Sequence, residues 1–260
     1  MTPDIRRVAH IAEEAGERIL EHYSGAPVET SLKGDGSPLT AADTAAHYSI
    51  LEGLRKLDPS IPVLSEESAE IPYDERRSWA RFWLVDPLDG TKEFLRRNGE
   101  FTVNIALVEA GRPVMGVVHA PAKGRTYAGE AGRGAWASAT AGTPAAVRVA
   151  PDTGSGLKAI VSRSHRDEKT EGFLGRLGPF EALSVGSSLK FCLLAEGKAH
   201  VYPRFWPSME WDTAAGECVV LAAGGYVRGL DNGPLRYNKP DLLNPFFVAA
   251  SFDPGKALRS

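Results

Sequence analysis

Cysteine is scarce in this chain of 260 residues, which holds only Cys192 and Cys218. Both lie in apolar runs (FCLLA and ECVVLAA) that read as helical. They are expected as small buried hydrophobes, ahead of a disulfide or a metal site. Such usage fits a reducing cytoplasm. Long apolar stretches are missing too, and no segment is long enough to span a bilayer. The first residues carry Asp4, Arg6, Arg7, Glu13 and Glu14, where a secretory signal needs a continuous apolar core. A cytoplasmic protein is expected, with nothing beyond a loose peripheral hold on a membrane. There is also no excess of basic charge: 30 Lys and Arg face 33 Asp and Glu, a net charge of -3. This argues against an electrostatic grip on a nucleic acid polymer or an anionic membrane. A small anionic ligand stays open, because it needs only a few local cations or a metal. Internal repeats and low-complexity tracts are absent. The oligomeric state cannot be read from these features.

What is present is ordinary globular composition, 43% hydrophobic and 24% charged. A chain of this length buries a substantial core, as one compact unit or two packed lobes. Residues 3 to 23 read as an amphipathic helix capped by Thr2, with Ile5, Val8, Ala12, Ala15, Ile19 and Tyr23 at three- and four-residue steps. Ser24-Gly25 ends it. Thr40 opens a second helix that runs to about Leu57. Ile61 to Ser65 is expected as a strand delivering Glu66 and Glu67. Arg81 to Val85 is a second strand, ending at Asp86. Phe101 to Val108 sets Phe101, Val103, Ile105 and Leu107 on one face, then turns through Ala110-Gly111 into Val114 to His119. That hairpin makes the sheet at least partly antiparallel, and another turns near Gly129 to Gly134. The Ala-, Thr- and Gly-rich residues 138 to 156 are the best boundary between lobes, giving 1–152 and 153–260. Beyond it strands and helices alternate: strands at 159–162, 200–202 and 246–250, helices at 166–177, 188–196 and 211–223.

Four acidic features stand out. Asp86-Pro87-Leu88-Asp89-Gly90-Thr91 follows the apolar strand FWLV. Pro87 bends the chain and Gly90 permits a tight turn, so two carboxylates and the Leu88 carbonyl can converge on one point. Hard divalent cations favour this set of oxygens. The others are Ser65-Glu66-Glu67-Ser68 at a strand end, Trp211-Asp212 at a helix start, and Thr40-Ala41-Ala42-Asp43. Taken singly, each has an ordinary explanation: a polar turn, a charged loop, an Asp helix cap and a capping box. Together, Glu66, Asp86, Asp89 and Asp212 occupy the strand ends and helix starts where α/β proteins gather ligand groups. Converging carboxylates without dedicated cysteines or histidines favour magnesium over zinc. A helix opening at Gly90-Thr91 would offer amide groups to a phosphate. Lys92 beside it leans to solvent.

DPLDGT after an apolar strand resembles the first signature of the inositol monophosphatase-like phosphatases. WDTAAGECVVLAAGG resembles the second, and SEES and LTAAD fill the family's other acidic positions in order. The resemblance covers nearly the whole chain. Within the family, WLVDPLDGTKEFLRRNGEFTVNIALVEAG, SRSH, GSSLKFCLLAEG and YPRF look like the bacterial 3'(2'),5'-bisphosphate nucleotidases of the CysQ type. The resemblance implies a layered α-β-α-β-α sandwich of mixed α+β and α/β character, two or three magnesium ions, and lithium sensitivity. It assigns Glu66, Asp86, the Leu88 carbonyl, Asp89 and Asp212 as metal ligands. It makes Thr91 and Asp43 the pair that positions or deprotonates the attacking water, with Glu66 assisting. Carried over as substrate contacts are Gly90, His165, Ser187, Lys190 and Arg204, alongside Glu66, Leu88, Asp89, Thr91 and Asp212. Read without it, Lys190 and Arg204 would be solvated charges, Ser187 a helix N-cap and His165 a loop residue. One segment departs from the pattern: Trp206-Pro207-Ser208-Met209-Glu210 changes access to the nucleotide end. The tail after Phe252 carries no motif.

The implied reaction is removal of the 3'-phosphate from adenosine 3',5'-bisphosphate, a by-product of sulfur assimilation, with 3'-phosphoadenylyl sulfate as a second substrate. Other activities stay open: an inositol phosphate or fructose bisphosphate phosphatase, a non-catalytic sensor of nucleotide or magnesium, and, least favoured by the charge, a nuclease.

Overall fold

The computed structural model describes residues 2–23, 30–32, 38–140, 142–151, 156–161 and 168–259. The expected stop at Ser24-Gly25 and the SRSH segment lie outside these residues. The chain opens with α1 (Ile5–Tyr23), the small antiparallel pair β1 (Thr30–Leu32) and β2 (Pro38–Thr40), and α2 (Ala41–Leu57). It continues through β3 (Val63–Ser65), a 3-10 turn at Glu66–Ser68, α3 (Tyr73–Arg76), β4 (Arg81–Asp89), α4 (Thr91–Leu95), β5 (Thr102–Glu109) and β6 (Arg112–Ala120). Then come β7 (Arg125–Glu130), β8 (Gly134–Ala139), β9 (Ala145–Val147), β10 (Leu157–Ile160), α5 (Glu168–Leu177) and β11 (Phe180–Leu183). The rest is α6 (Leu189–Ala195), β12 (Val201–Arg204), α7 (Glu210–Ala222), β13 (Tyr226–Gly229), β14 (Phe247–Ala250) and α8 (Gly255–Arg259).

Strands β3 to β9 form one sheet in chain order, antiparallel except for the parallel β3–β4 pair. The second sheet runs β11-β10-β12-β14-β13 and is mixed. Three cores fill the four interfaces between five layers, the second spanning both faces of the middle one. In the first, Val8, Ala12, Ala15 and Ile19 of α1 and Ala46, Ile50 and Leu54 of α2 meet Trp83, Val103, Ile105 and Leu107. In the second, the opposite face of the same sheet (Leu84, Ala106, Val108, Val118) packs on α6 and α7, which also cover Tyr202, Phe247 and Ala249 of the second sheet. In the third, Ala159, Val201 and Val248 face Phe173 and Leu174 of α5, with Leu258 of α8 alongside. The order is therefore α-β-α-β-α. Burial on both faces explains why β5 reads as a nearly unbroken apolar run.

The structure changes several local expectations. Asp4, not Thr2, caps α1: its Oδ1 accepts the Arg6 N–H at 2.9 Å. Residues 138 to 156 are not all linker, since β9 adds an edge strand to the first sheet. Ser188, not Ser187, occupies the cap position of α6. Both cysteines are free and buried, as expected, and burial pushes their thiols up.

α7 lies against β6 and β7 at two glycines. A Cβ on Gly116 would fall 2.4 Å from the Ala215 carbonyl oxygen, and one on Gly129 would fall 2.7 Å from Val219 Cα. These contacts are with backbone, so relief requires the helix to move. Gly116→Ala should therefore cost about 2 kcal/mol of stability through overpacking. Gly172→Ala, in α5 with open space around it, should have the opposite sign. Urea unfolding of both variants checks the pair.

Candidate active site

β4 does not stop at Asp86 but runs to Asp89. Its pairing with β5 slips on the way, with Asp86 opposite Asn104 and Asp89 opposite Thr102. Pro87 has no N–H to give the ladder, and a bulge re-aims the side chains around it. Leu88 drops into the core against α1 and α2, and its amide donates to Asp86 Oδ1 at 3.0 Å. Gly90 takes φ 91°, and α4 begins at Thr91. A Cβ on Gly90 would lie 3.3 Å from Ser187 Cβ and 3.2 Å from the Glu100 carbonyl oxygen. The turn after Asp89 therefore abuts the loop before α6. Lys92 is exposed, in line with its lean to solvent, but it also lines the cleft described below.

The capping box at Thr40 and the functional reading of Asp43 share one carboxylate. Asp43, 1% exposed, takes the Thr40 N–H (2.8 Å) and the Thr40 hydroxyl (2.6 Å) on Oδ2. Its Oδ1 faces Thr91 Oγ1 at 3.4 Å. Thr91 Oγ1 is also 3.4 Å from the Leu88 carbonyl oxygen. Both contacts are long, so the hydroxyl is committed to neither.

Four acids feel one another. Asp86 is buried, hydrogen-bonded to Glu66, and held well above the usual carboxylate range by burial and by the charges of Glu66, Asp89 and Asp212. Asp212 is pushed up to about 8 by burial, with Asp89 and Glu66 adding repulsion and Arg204 opposing it. Asp212 is not the N-cap of α7, which begins at Glu210. It reaches back from the first turn, its Oδ2 accepting the Met209 N–H at 2.9 Å.

Asp89 and Asp212 line a cleft of about 350 Å³ with Gly90, Ser187, Lys190 and Arg204. Lys190 Nζ donates to the Ser187 carbonyl (3.0 Å) and sits over the Tyr202 ring (5.9 Å to its centroid). Ser187 adopts φ 50°, a left-handed conformation rare outside glycine. Arg204 Nη2 donates to the Pro207 carbonyl at 2.9 Å. Of the anticipated substrate contacts, His165 lies outside the described residues.

Two residues given no role in the sequence tie the site together. Asn104 Nδ2 reaches Asp89 Oδ2 (3.4 Å) and Ser188 Oγ (3.1 Å), and Ser188 Oγ donates to the Asp212 carbonyl (2.8 Å). An Asn inside a buried strand was the available signal for the first. Nothing in the spacing marked the second.

The donor set suits a hard cation. Two carboxyl groups in hydrogen-bond contact, beside two more acids, cannot all ionise without a counter-charge. Every candidate ligand is oxygen, as magnesium prefers. Among the described residues no three His, Cys, Asp or Glu side chains are gathered tightly enough to hold an ion as they stand. The carboxylates repel one another without forming a closed cage. No helix among the described residues is long and apolar enough to cross a membrane.

Known proteins share this fold and much of this sequence. The sequence profile of the inositol monophosphatase family matches residues 4–255. The 3'(2'),5'-bisphosphate nucleotidase CysQ of Salmonella typhimurium is 49% identical over 245 residues, covering 94% of this chain and 98% of that one. Its counterpart in Escherichia coli K12 is 48% identical over 243 residues, covering 93% and 97%. The crystal structure of CysQ from Bacteroides thetaiotaomicron, described as a bacterial member of the inositol monophosphatase family, superposes with a TM-score of 0.84 at 43% identity, covering 95% and 97%. With a profile match over nearly its whole length and relatives this similar, the chain belongs to the inositol monophosphatase family.

Proposed function

We propose that this chain is a magnesium-dependent phosphomonoester hydrolase that removes the 3'-phosphate of adenosine 3',5'-bisphosphate, yielding AMP and inorganic phosphate, with 3'-phosphoadenylyl sulfate as a second substrate. The observation that carries the reading is that Asp89 and Asp212 line one cleft together with Lys190 and Arg204. A bisphosphate has one phosphoryl group to react and one to be held, and the cleft offers acidic ligands and cations in one space. The names of the CysQ relatives support the same substrate class.

The two-lobe division fits this use. Residues 1–152 bring Asp43, Glu66, Asp86, Asp89 and Thr91, while residues 153–260 bring Asp212, Ser187, Lys190 and Arg204. Glu66, Asp86, the Leu88 carbonyl, Asp89 and Asp212 would hold two or three magnesium ions. When bound, magnesium supplies the positive charge that lets these carboxylates and the phosphoryl oxygens lie close together. Thr91, oriented by Asp43, receives the attacking water through its hydroxyl, and the pair takes up the proton that water loses. The water oxygen bonds to phosphorus as the bond to the ribose oxygen breaks. That oxygen leaves and takes a proton from solvent water, to which the Thr91–Asp43 pair returns the one it took up. Lys190 and the planar fork of Arg204 hold the phosphate that stays, and Ser187 and Gly90 shape the turn beside it. Positioning and charge neutralisation account for most of the acceleration.

Phosphate release with magnesium should favour adenosine 3',5'-bisphosphate over inositol 1-phosphate and fructose 1,6-bisphosphate by at least about tenfold in kcat/KM, with Asp89→Asn as the blank. Preference for either sugar phosphate would keep the metal chemistry and overturn the roles given to Lys190 and Arg204.

A further inference from the structure

We infer that Trp206 is the nucleobase platform of the cleft, a proposal that rests on the nucleotide reading above and assigns its base-recognition step. Trp206 lines the same cavity as Lys190, Arg204 and Asp212 and is 50% exposed. The other aromatic side chains of that lining, Phe191 and Tyr202, are buried. Among the described residues, the indole is therefore the substantially accessible aromatic surface in an otherwise polar, charged cleft.

The segment that carries it is anchored on both sides. Phe205 is seated in the outermost core, edge-on to Phe173 (5.7 Å between centroids) and tilted against Phe246 (6.3 Å). On the other side, the Pro207 carbonyl accepts the Arg204 guanidinium hydrogen bond. Trp206 thus sits in a turn closed by Arg204 itself. The cation that holds the retained phosphate and the ring that meets the base belong to one pre-set unit. Such preorganisation lowers the ordering cost of binding. A nucleoside bisphosphate presents a flat base at a fixed reach from its phosphates, and every base has a π-face to stack. An inositol or fructose phosphate presents none. Trp206 is in this sense a specificity residue, not a catalytic one.

Two measurements test it. Titration with AMP in the presence of magnesium, followed by tryptophan emission, should quench the wild-type chain. The quench should be largely lost in Trp206→Phe and small with ribose 5-phosphate in either protein. Equal quenching in wild type and Trp206→Phe would overturn the proposal, since the chain has five tryptophans and another would then be the reporter. In parallel, kcat/KM for adenosine 3',5'-bisphosphate should exceed that for its abasic counterpart, 1-deoxyribose 3,5-bisphosphate, by about tenfold or more. That ratio should persist in Trp206→Phe and fall towards parity in Trp206→Ala. A ratio unmoved in Trp206→Ala would overturn the platform while leaving the proposed reaction intact. Absence of phosphate release by the wild type would count against the reaction instead, and the AMP quench would still decide the role of Trp206.

Discussion

Thr91→Ala should lower kcat for phosphate release by about a thousandfold, the usual scale for loss of a positioned proton acceptor, with KM changed by no more than about threefold. The expectation follows from how Asp43 is held. One of its oxygens is tied to Thr40 by two short hydrogen bonds, which fixes the carboxylate at the start of α2. The other oxygen faces Thr91 at 3.4 Å. Once that contact shortens, the hydroxyl shares its proton with the carboxylate and presents its lone pairs elsewhere, where an attacking water can donate. Long contacts of this kind tighten when substrate is bound. Thr91→Ser keeps the oxygen and should recover most of the rate. Asp43→Asn keeps an acceptor for Thr40 and so should preserve α2, yet it should fall nearly as far as Thr91→Ala because it no longer accepts a proton. Steady-state kinetics with circular dichroism as a check on folding distinguishes these outcomes. A Thr91→Ala enzyme within tenfold of wild type would remove the pair from the mechanism.

The second large effect concerns stability. Stripped of divalent cations, the protein should gain much more from magnesium at pH 8 than at pH 5. Asp86 is held well above the usual range and Asp212 is pushed up to about 8, whereas an unfolded aspartate titrates near 4. Between these values the folded chain keeps protons that the unfolded chain has released. By linkage, the stability contributed by these protons is fully present at low pH and is lost as pH rises through the folded values. Magnesium, taking the place of those protons, restores it. His119 works in the opposite sense: burial lowers it to about 4, so acid favours the unfolded form as pH falls below its ordinary value. Glu217, raised to about 7 by burial, acts in the same direction as the aspartates but faces Tyr237. Comparing melts with and without magnesium at each pH removes both contributions. The magnesium-dependent rise in Tm should widen by about 5–10 °C from pH 5 to pH 8. An equal rise at both values would show that these carboxylates carry no excess protons in the metal-free protein.

Much of this was legible in the residues, for physical reasons. Val103, Ile105 and Leu107 announced one face of β5 because side chains alternate across a strand. Thr40 and Asp43 announced a helix start because the capping geometry needs that spacing, and the box is present. The layer order came from the resemblance and is the one observed. Other features were hidden by the same rules. Pro87 read as the end of β4, yet a bulge carries the strand past it. β9 was concealed in a tract of small residues because an exposed edge strand needs no apolar alternation. β11 is similarly exposed along much of its length. The link from Asp89 through Asn104 and Ser188 to Asp212 spans more than 100 positions and has no local pattern. Only the packing of α6 and α7 on β5 brings it together.

The middle layer has a consequence for how the molecule is made. β3 to β9 are complete by Val147, but the helices that cover their inner face end only at Ala222. At ordinary translation speeds that interval is on the order of 4–15 s. During it, Leu84, Ala106, Val108 and Val118 belong to a sheet already shielded on one side by α1 and α2 and bare on the other. The nascent chain is therefore most prone to aggregate after the first sheet is finished and before α7 emerges, and a chaperone that shields apolar strands has its natural substrate in that window.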